Sequence, residues 1–178
     1  RLFGKSDPVS IVVKLKNINK LTYKLFRVDT ATYYKTKLQP LDEKIDLDGL
    51  SPEETYEISF QGKFLKQTVH KQRLDFPTIQ NIPQGLFIIE LQGDSISSRM
   101  IVQKGVLQLI PVDHFMGIGY YMVDEEKKIC KSEGTGLYLD KKFYPSREDG
   151  CLLFPFASEA VNNKEVVLVH SGYAYLST

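Results

Sequence analysis

The 178-residue sequence has no tryptophan, only four alanines and only two cysteines. Alanine is the strongest helix former, so a chain with so little of it rarely builds long helices. No apolar run approaches the ~18–20 residues that a bilayer-spanning helix needs. What the chain does have is aromatic residues, ten tyrosines and ten phenylalanines, which together with β-branched residues favour strands.

Charge and size narrow the class of protein. Lys and Arg number 23 against 22 Asp and Glu, for a net charge of +1. Such a balance gives no electrostatic reason to expect a nucleic acid or an anionic membrane as the partner. The length allows one large domain or two small ones, with a hydrophobic core that needs no metal. The chain begins at Arg1 rather than at Met, so we expect a piece of a longer protein.

Alternation of polar and apolar residues predicts a series of short strands. Residues 10–17 place apolar side chains at every second position, residues 17–20 supply turn formers, and residues 21–28 are predicted to return as the second strand of a hairpin. The nearly continuous apolar run at residues 86–91 indicates a strand covered on both faces. Further strands are predicted at residues 55–60, 73–76, 97–104, 106–111, 119–123, 136–139, 143–144, 151–156, 165–169 and 173–176. Turn signals separate them, Asn162 and Asn163 among these.

A short helix and a change of pattern complete the predicted layout. Asp29 is a good N-cap for a helix over residues 30–38, which Pro40 would stop. Residues 40–52 are polar and acidic and are predicted to form a long surface loop. The boundary is placed at Lys104-Gly105. The sequence therefore predicts an all-β protein of two tandem antiparallel β-sandwiches, residues 1–105 with the short helix and acidic loop, and residues 106–178 forming a smaller sandwich.

Several of these segments resemble the macroglobulin-like β-sandwich domains of the α2-macroglobulin family, which are immunoglobulin-like. The resembling stretches are residues 17–29 (NINKLTYKLFRVD), 45–50 (IDLDGL), 85–91 (GLFIIEL), 97–105 (SSRMIVQKG), 123–128 (VDEEKK) and 149–156 (DGCLLFPF). The Cys-Gly-Glu-Gln thioester of that family is missing, so the resemblance carries over no catalytic residue. It implies a structural and interaction module of a large secreted or cell-surface protein. Its partners would be the other domains of that protein and a protein such as a protease.

The two cysteines leave two alternatives open. Cys130 and Cys151 are both predicted in the second sandwich, and an extracellular family would allow a disulfide between them. Such a bridge would close a loop of about twenty residues and contribute roughly 3 kcal/mol. The other alternative is a pair of small buried thiols that pack as hydrophobes.

No residue pattern predicts a cofactor, a metal or an active site. The three histidines, His70, His114 and His170, do not lie at metal-ligand spacing. Although Asp113 precedes His114, neighbours in a strand point to opposite faces and make a poor catalytic relay. The carboxylates of the acidic loop lack the spacing of a calcium loop, so a solvated loop is favoured over a cation site. They are Asp42, Glu43, Asp46 and Asp48.

Two groups of surface residues suggest functions other than that of a structural module. A row of cations (Lys14, Lys16, Lys20, Lys24 and Arg27) would suit a polyanion surface, but lysines along a strand also prevent edge-to-edge pairing, and this second interpretation is preferred. The alternative function is a ligand-binding or adhesin-like sandwich that uses exposed aromatics such as Tyr33, Tyr34, Tyr120 and Tyr121. Aromatics buried between the sheets would count against it. An enzyme would instead need a deep pocket with convergent carboxylates or a His-carboxylate pair.

Overall fold

The structure is a computed structural model that describes residues 1–37, 39–60, 68–155 and 165–177. These residues form fourteen strands and two short helices, which confirms the predicted all-β sandwich class. They divide into two compact units. Residues 1–28 and 41–104 make the first unit, and residues 29–40 and 105–178 make the second, so the chain changes unit between Lys104 and Gly105.

The first unit holds seven strands and one of the helices. Its elements are β1 (Leu2–Phe3), β2 (Ser10–Lys16), β3 (Lys20–Val28), β4 (Glu54–Ser59), β5 (Val69–Asp75), α2 (Pro77–Gln80), β6 (Gly85–Gly93) and β7 (Ile96–Lys104). A five-stranded sheet in the order β1-β7-β6-β3-β4 faces a two-stranded sheet of β2 and β5. Ile11, Leu15 and Leu74 from the small sheet share one buried cluster with Leu25 and Phe87 from the large one.

The predicted hairpin of β2 with β3 is wrong. β2 pairs with β5, whereas β3 pairs with β4 and β6 in the other sheet. Asn17, at a positive φ of 56°, lies in the turn between them. Both strands carry apolar residues at every second position, and burying both of those rows against each other across the core removes more apolar surface from water than a side-by-side hairpin would.

Strand β6 behaves as its continuous apolar run predicts. Residues 86–89 are all buried, because this strand lies inside the five-stranded sheet and is covered on both faces. A tight connection at Asp94, with φ of 44°, returns the chain into β7 in antiparallel register. This pairing fixes the position of Lys104, the last residue of β7, opposite Gly85.

The second unit is a second sandwich. Its elements are α1 (Thr30–Thr36), β8 (Gln108–His114), β9 (Gly117–Val123), β10 (Gly136–Leu139), β11 (Lys142–Pro145), β12 (Cys151–Pro155), β13 (Val166–His170) and β14 (Tyr173–Ser177). A four-stranded sheet, β11-β10-β13-β14, faces a three-stranded sheet, β12-β9-β8. Met122 and Phe154 from the smaller sheet share a buried cluster with Leu137 and Leu168 from the larger one.

The short helix belongs to the second unit and not, as predicted, to the first. Asp29 is its N-cap as predicted, since its Oδ1 accepts a hydrogen bond from the backbone N of Thr32 at 3.2 Å. The helix packs against β13 and β14, and the Thr30 hydroxyl oxygen accepts a hydrogen bond from the backbone N of Ala174 at 2.9 Å. Position along the chain suggested the first domain, but the buried contacts of α1 are made with strands much later in the sequence.

Some predictions fall outside the described residues: the helix end at Leu38, the strand end at Phe156 and the turn at Asn162 and Asn163. Within the described ranges, neither helix has the length and apolar character to cross a membrane.

Candidate functional site

The two cysteines occupy opposite faces of the three-stranded sheet. The backbone N of Cys130 donates to the carbonyl of Met122 at 2.8 Å, while Cys151 is the cross-strand partner of Tyr121. Since neighbouring positions on β9 point to opposite faces, the two thiols point away from each other. Both are buried, and no disulfide joins them. The structure therefore agrees with the alternative of two buried thiols. Burial raises the pKa of the Cys151 thiol, and the nearby Asp149 carboxylate raises it further.

The histidines serve local structure. At the tip of the β8–β9 hairpin, Nδ1 of His114 accepts a hydrogen bond from the backbone N of Met116 at 3.1 Å, and its ring stacks on Phe115 with centroids 4.7 Å apart. Nδ1 of His170 lies 2.8 Å from the hydroxyl of the buried Thr135 and 3.2 Å from that of Ser132. These contacts fix two turns, and no carboxylate is seen to complete a catalytic relay in these hydrogen bonds.

The acidic loop is anchored to the first unit by an arginine. Arg99 on β7 donates from Nη1 to the carbonyl of Ile45 at 2.8 Å, and its other nitrogens pair with Glu90 at 2.9 and 3.0 Å. Leu41 and Leu47, which belong to this loop, are buried. Among the residues that the structure describes, no three His, Cys, Asp or Glu side chains come together as a metal site would require.

The tyrosines of the adhesin-like alternative do not form an exposed patch. Tyr34 and Tyr120 are buried, and Tyr33 and Tyr121 are partly buried. Burial raises the pKa of Tyr34 to about 12, with smaller contributions from neighbouring tyrosines. Tyr120 packs edge-to-face on Phe154 inside the second sandwich, at 5.8 Å between centroids. Tyr34 and Tyr120 are therefore core residues, and Tyr33 and Tyr121 are only partly accessible.

The predicted row of cations is divided between two sheets. Lys20 is paired with Glu57 across the β3–β4 ladder, with Nζ and Oε2 2.7 Å apart, and Lys24 is in register with Glu90 on β6. Only Lys14 and Lys16 lie on the small sheet, where they project from its outer face.

That outer face gathers cations from both strands of the small sheet. Because Ile11 and Leu15 of β2 and Leu74 of β5 face the core, their neighbours point outward. We call the outward side the basic face. Its exposed side chains are Val12, Lys14 and Lys16 on β2, and Val69, Lys71, Arg73 and Asp75 on β5.

The cross-strand register places like charges side by side on the basic face. Lys14 is directly opposite Lys71, Arg73 is opposite Val12, and Lys16 is opposite Val69. Side chains in such pairs have Cβ atoms about 4.5–5.5 Å apart, and a like-charged pair there is destabilising. Asp75 offsets one charge, through an ion pair of 2.8 Å with Nε of Arg73. The face thus carries four cations and one anion, although the whole chain is nearly neutral.

Half of the cations of the basic face could be predicted from the sequence. Lys14 and Lys16 belonged to the predicted row, whereas Lys71 and Arg73 were missed because they come from a segment far along the chain. The signal in the sequence was weak: Lys71 and Arg73 stand two positions apart, as residues on one face of a strand do, but of the inward positions between 69 and 75 only Leu74 is apolar. Only the pairing of β2 with β5 brings the two halves together.

Comparison with known proteins gives relatives of two kinds. Residues 21–105 match a family model described as the AbpF first immunoglobulin-like domain. Over 169 residues the chain is 33% identical to Actin-binding protein F of Dictyostelium discoideum, a match that covers 94% of this chain and 7% of that protein. The chain thus spans a small part of the length of this curated relative.

Two crystal structures of native alpha-2-macroglobulin from Escherichia coli are similar in fold. One, spanning domains MG0-NIE-MG1, has a TM-score of 0.57 and 13% identity, and the match covers 97% of this chain and 59% of that one. The other, spanning NIE-MG1, has a TM-score of 0.50 and 12% identity, and covers 98% and 92%. At such identities the likeness is one of fold alone. The chain is an immunoglobulin-like β-sandwich protein that resembles macroglobulin domains in fold and Actin-binding protein F in sequence.

Proposed function

We propose that the chain is a non-catalytic interaction module of a larger protein and that it contacts actin filaments. The observation that carries this proposal is the 33% identity to Actin-binding protein F, which extends over 94% of the chain. A similarity of this extent runs through both units rather than through one motif. Since a fold alone does not set a function, the sandwich architecture supports the module and the sequence similarity supports the partner.

The chemistry of the described residues agrees with a non-catalytic role. Nδ1 of His114 is engaged with the backbone of its own turn, Nδ1 of His170 lies against the hydroxyls of Thr135 and Ser132, and the Arg99 guanidinium is engaged with Glu90 and a loop carbonyl. The Cys151 thiol is buried with a raised pKa, which disfavours the reactive thiolate. The basic face, by contrast, presents charge outward on a sheet, as an interaction surface does.

Two features of the sequence prediction stay predictions. An extracellular or cell-surface location follows only from the resemblance to α2-macroglobulins. A protease as the partner follows from the same resemblance, which at the level of fold says nothing about what is bound.

Sedimentation with actin filaments tests the proposed function. The purified chain is centrifuged with increasing amounts of filaments, with microtubules as an unrelated filament. We expect the chain to enter the actin pellet saturably and to stay in the supernatant with microtubules. A chain that pellets equally with and without actin filaments would contradict the proposal.

A further inference from the structure

We propose that the basic face is the docking surface of the module and that it binds an acidic, carboxylate-rich surface of a protein partner. That the module binds another protein at all rests on the proposed function. The location of the surface and its charge come from the structure. The main observation is that Lys14 lies directly opposite Lys71, with Lys16 and Arg73 beside them, on one exposed sheet face.

The like-charged register is the first argument. A cross-strand lysine pair lowers the stability of the free sheet, and a carboxylate between the two ammonium groups turns that repulsion into attraction. Edge protection, the interpretation preferred from the sequence, is served by lysines on each strand but gains nothing from placing two of them directly opposite each other. Lys14 and Lys71 share a sign, so a surface built for an anionic partner explains them better.

The apolar flanks are the second argument. Val12 is 51% exposed and Val69 is 58% exposed, and each lies directly opposite a cation of the basic face. Exposed aliphatic side chains beside charges are typical of protein interfaces, where apolar contact accompanies charge pairing. Among the described residues, the basic face has no aromatic side chain on which the bases of a single-stranded nucleic acid would stack.

The engagement of Arg73 is the third argument. Its guanidinium, the group best suited to bidentate binding of phosphate, donates from Nε to Asp75 on its own strand, and the Asp75 carboxylate places a negative charge beside it. The remaining cations are three lysines, which act as point charges and place no demand for phosphate geometry on the partner. A carboxylate-rich protein surface therefore fits the face better than a nucleic acid or a phospholipid membrane.

A titration with an acidic polypeptide tests the surface directly. The ¹⁵N-labelled chain is titrated with poly-L-glutamate, and amide chemical shifts are followed by NMR. We expect the shifts to concentrate in β2 and β5 and the affinity to fall steeply between about 0.05 M and about 0.5 M salt, because exposed charge pairs are screened. Shifts confined to other strands, or no shifts at low salt, would overturn the inference.

Charge reversal supplies the matched comparison. The double variant Lys14→Glu with Lys71→Glu should weaken binding of poly-L-glutamate by roughly tenfold or more, since attraction becomes repulsion. The control, Lys44→Glu with Lys131→Glu, makes the same change in net charge at exposed lysines outside the basic face and should bind as the wild type does. Both double variants replace a charged side chain by another charged side chain, and thermal unfolding checks that each is folded. Equal losses in the two doubles would overturn the inference.

Other polyanions and actin filaments separate the remaining outcomes. A single-stranded oligonucleotide or vesicles with anionic headgroups that bind the same face more tightly than poly-L-glutamate would refute a protein partner. If the wild type pellets with actin filaments and the Lys14/Lys71 double variant pellets equally, the face is wrong while the proposed function stands. If the wild type binds poly-L-glutamate through β2 and β5 but does not pellet with filaments, actin is wrong while the face stands.

Discussion

Replacing Lys104 by methionine should destabilise the first unit, although the new side chain is apolar and of similar length. Lys104 is fully buried at the end of β7. Its Nζ donates hydrogen bonds to the carbonyls of Ile79 at 3.0 Å and Gln80 at 2.7 Å, at the C-terminal end of helix α2. The Ile79 carbonyl also accepts from the backbone N of Ile82 at 3.0 Å, so the Gln80 carbonyl is the one that most needs the ammonium group.

The expected change in the free energy of unfolding is the difference between the hydrogen-bond energy of the Lys104 ammonium and the cost of burying it. Hydrogen bonds to a charged group contribute about 1.5–3 kcal/mol each, so the two together contribute about 3–6 kcal/mol. Burying the ammonium costs several kcal/mol, which methionine avoids. What remains is the cost of leaving the part-buried Gln80 carbonyl without its ammonium donor, so we expect Lys104→Met to lower the free energy of unfolding by about 1–2 kcal/mol. Lys104→Ala should lose about 2 kcal/mol more, through the cavity it creates.

Urea unfolding measures these losses. Because the chain has no tryptophan, far-UV circular dichroism and tyrosine fluorescence are the probes. The two units can unfold in separate transitions, so each transition is fitted by itself and the loss is expected in only one of them. The control Lys44→Met changes an exposed lysine of the same unit and should stay within about 0.5 kcal/mol of the wild type. A Lys104→Met chain as stable as the wild type would refute the reasoning, because the ammonium hydrogen bonds would then contribute nothing beyond the burial cost.

Three further predictions concern charge, capping and pH. The single variant Lys14→Glu should stabilise the first unit by about 0.2–1 kcal/mol in urea unfolding, because it replaces the repulsion with Lys71 by attraction; a loss of stability would contradict the register. Asp29→Ala should destabilise α1 by about 0.5–2 kcal/mol through loss of the cap to the Thr32 amide, and hydrogen exchange in the helix should accelerate, while unchanged exchange would exclude the cap as a stabilising contact. The pKa of Tyr34 is raised to about 12, so its contribution to stability is fully present below pH ~10 and is lost as the pH rises through the folded value. Tyrosinate absorbance should show one fewer late-titrating ring in Tyr34→Phe, and an unchanged titration would contradict the burial of that ring.

The strands could be predicted because their signal is local. Side-chain alternation, a nearly continuous apolar run and turn residues located β6 and β10 to within two residues of their ends. Asp29 was found as an N-cap for the same reason, since its partner is the amide of a residue three positions later. Local patterns, however, do not say which strand pairs with which.

The wrong predictions arose because local patterns do not specify which distant segments come together. The hairpin of β2 with β3 was predicted from the closeness of the two strands along the chain, whereas β2 pairs with β5. The helix was assigned to the first unit for the same reason, although its Thr30 hydroxyl contacts Ala174 near the other end of the chain. For the cysteines, the face that each thiol takes depends on its β9 partner, and no spacing in the sequence reveals that partner.

The candidate surface and the core are products of one alternation in β2. Its odd-numbered residues enter the core of the first unit and its even-numbered residues line the basic face. A substitution at Lys14 can therefore change binding while leaving the packing of Ile11 and Leu15 intact, which is why charge reversal separates a docking surface from a merely solvated one. The pairing with β5 completes both sides at once, adding Leu74 to the core and Lys71 to the face. If β2 were paired with β3 instead, Lys14 and Lys16 would be separated from Lys71 and Arg73, and no surface of concentrated positive charge would exist for an acidic partner to bind.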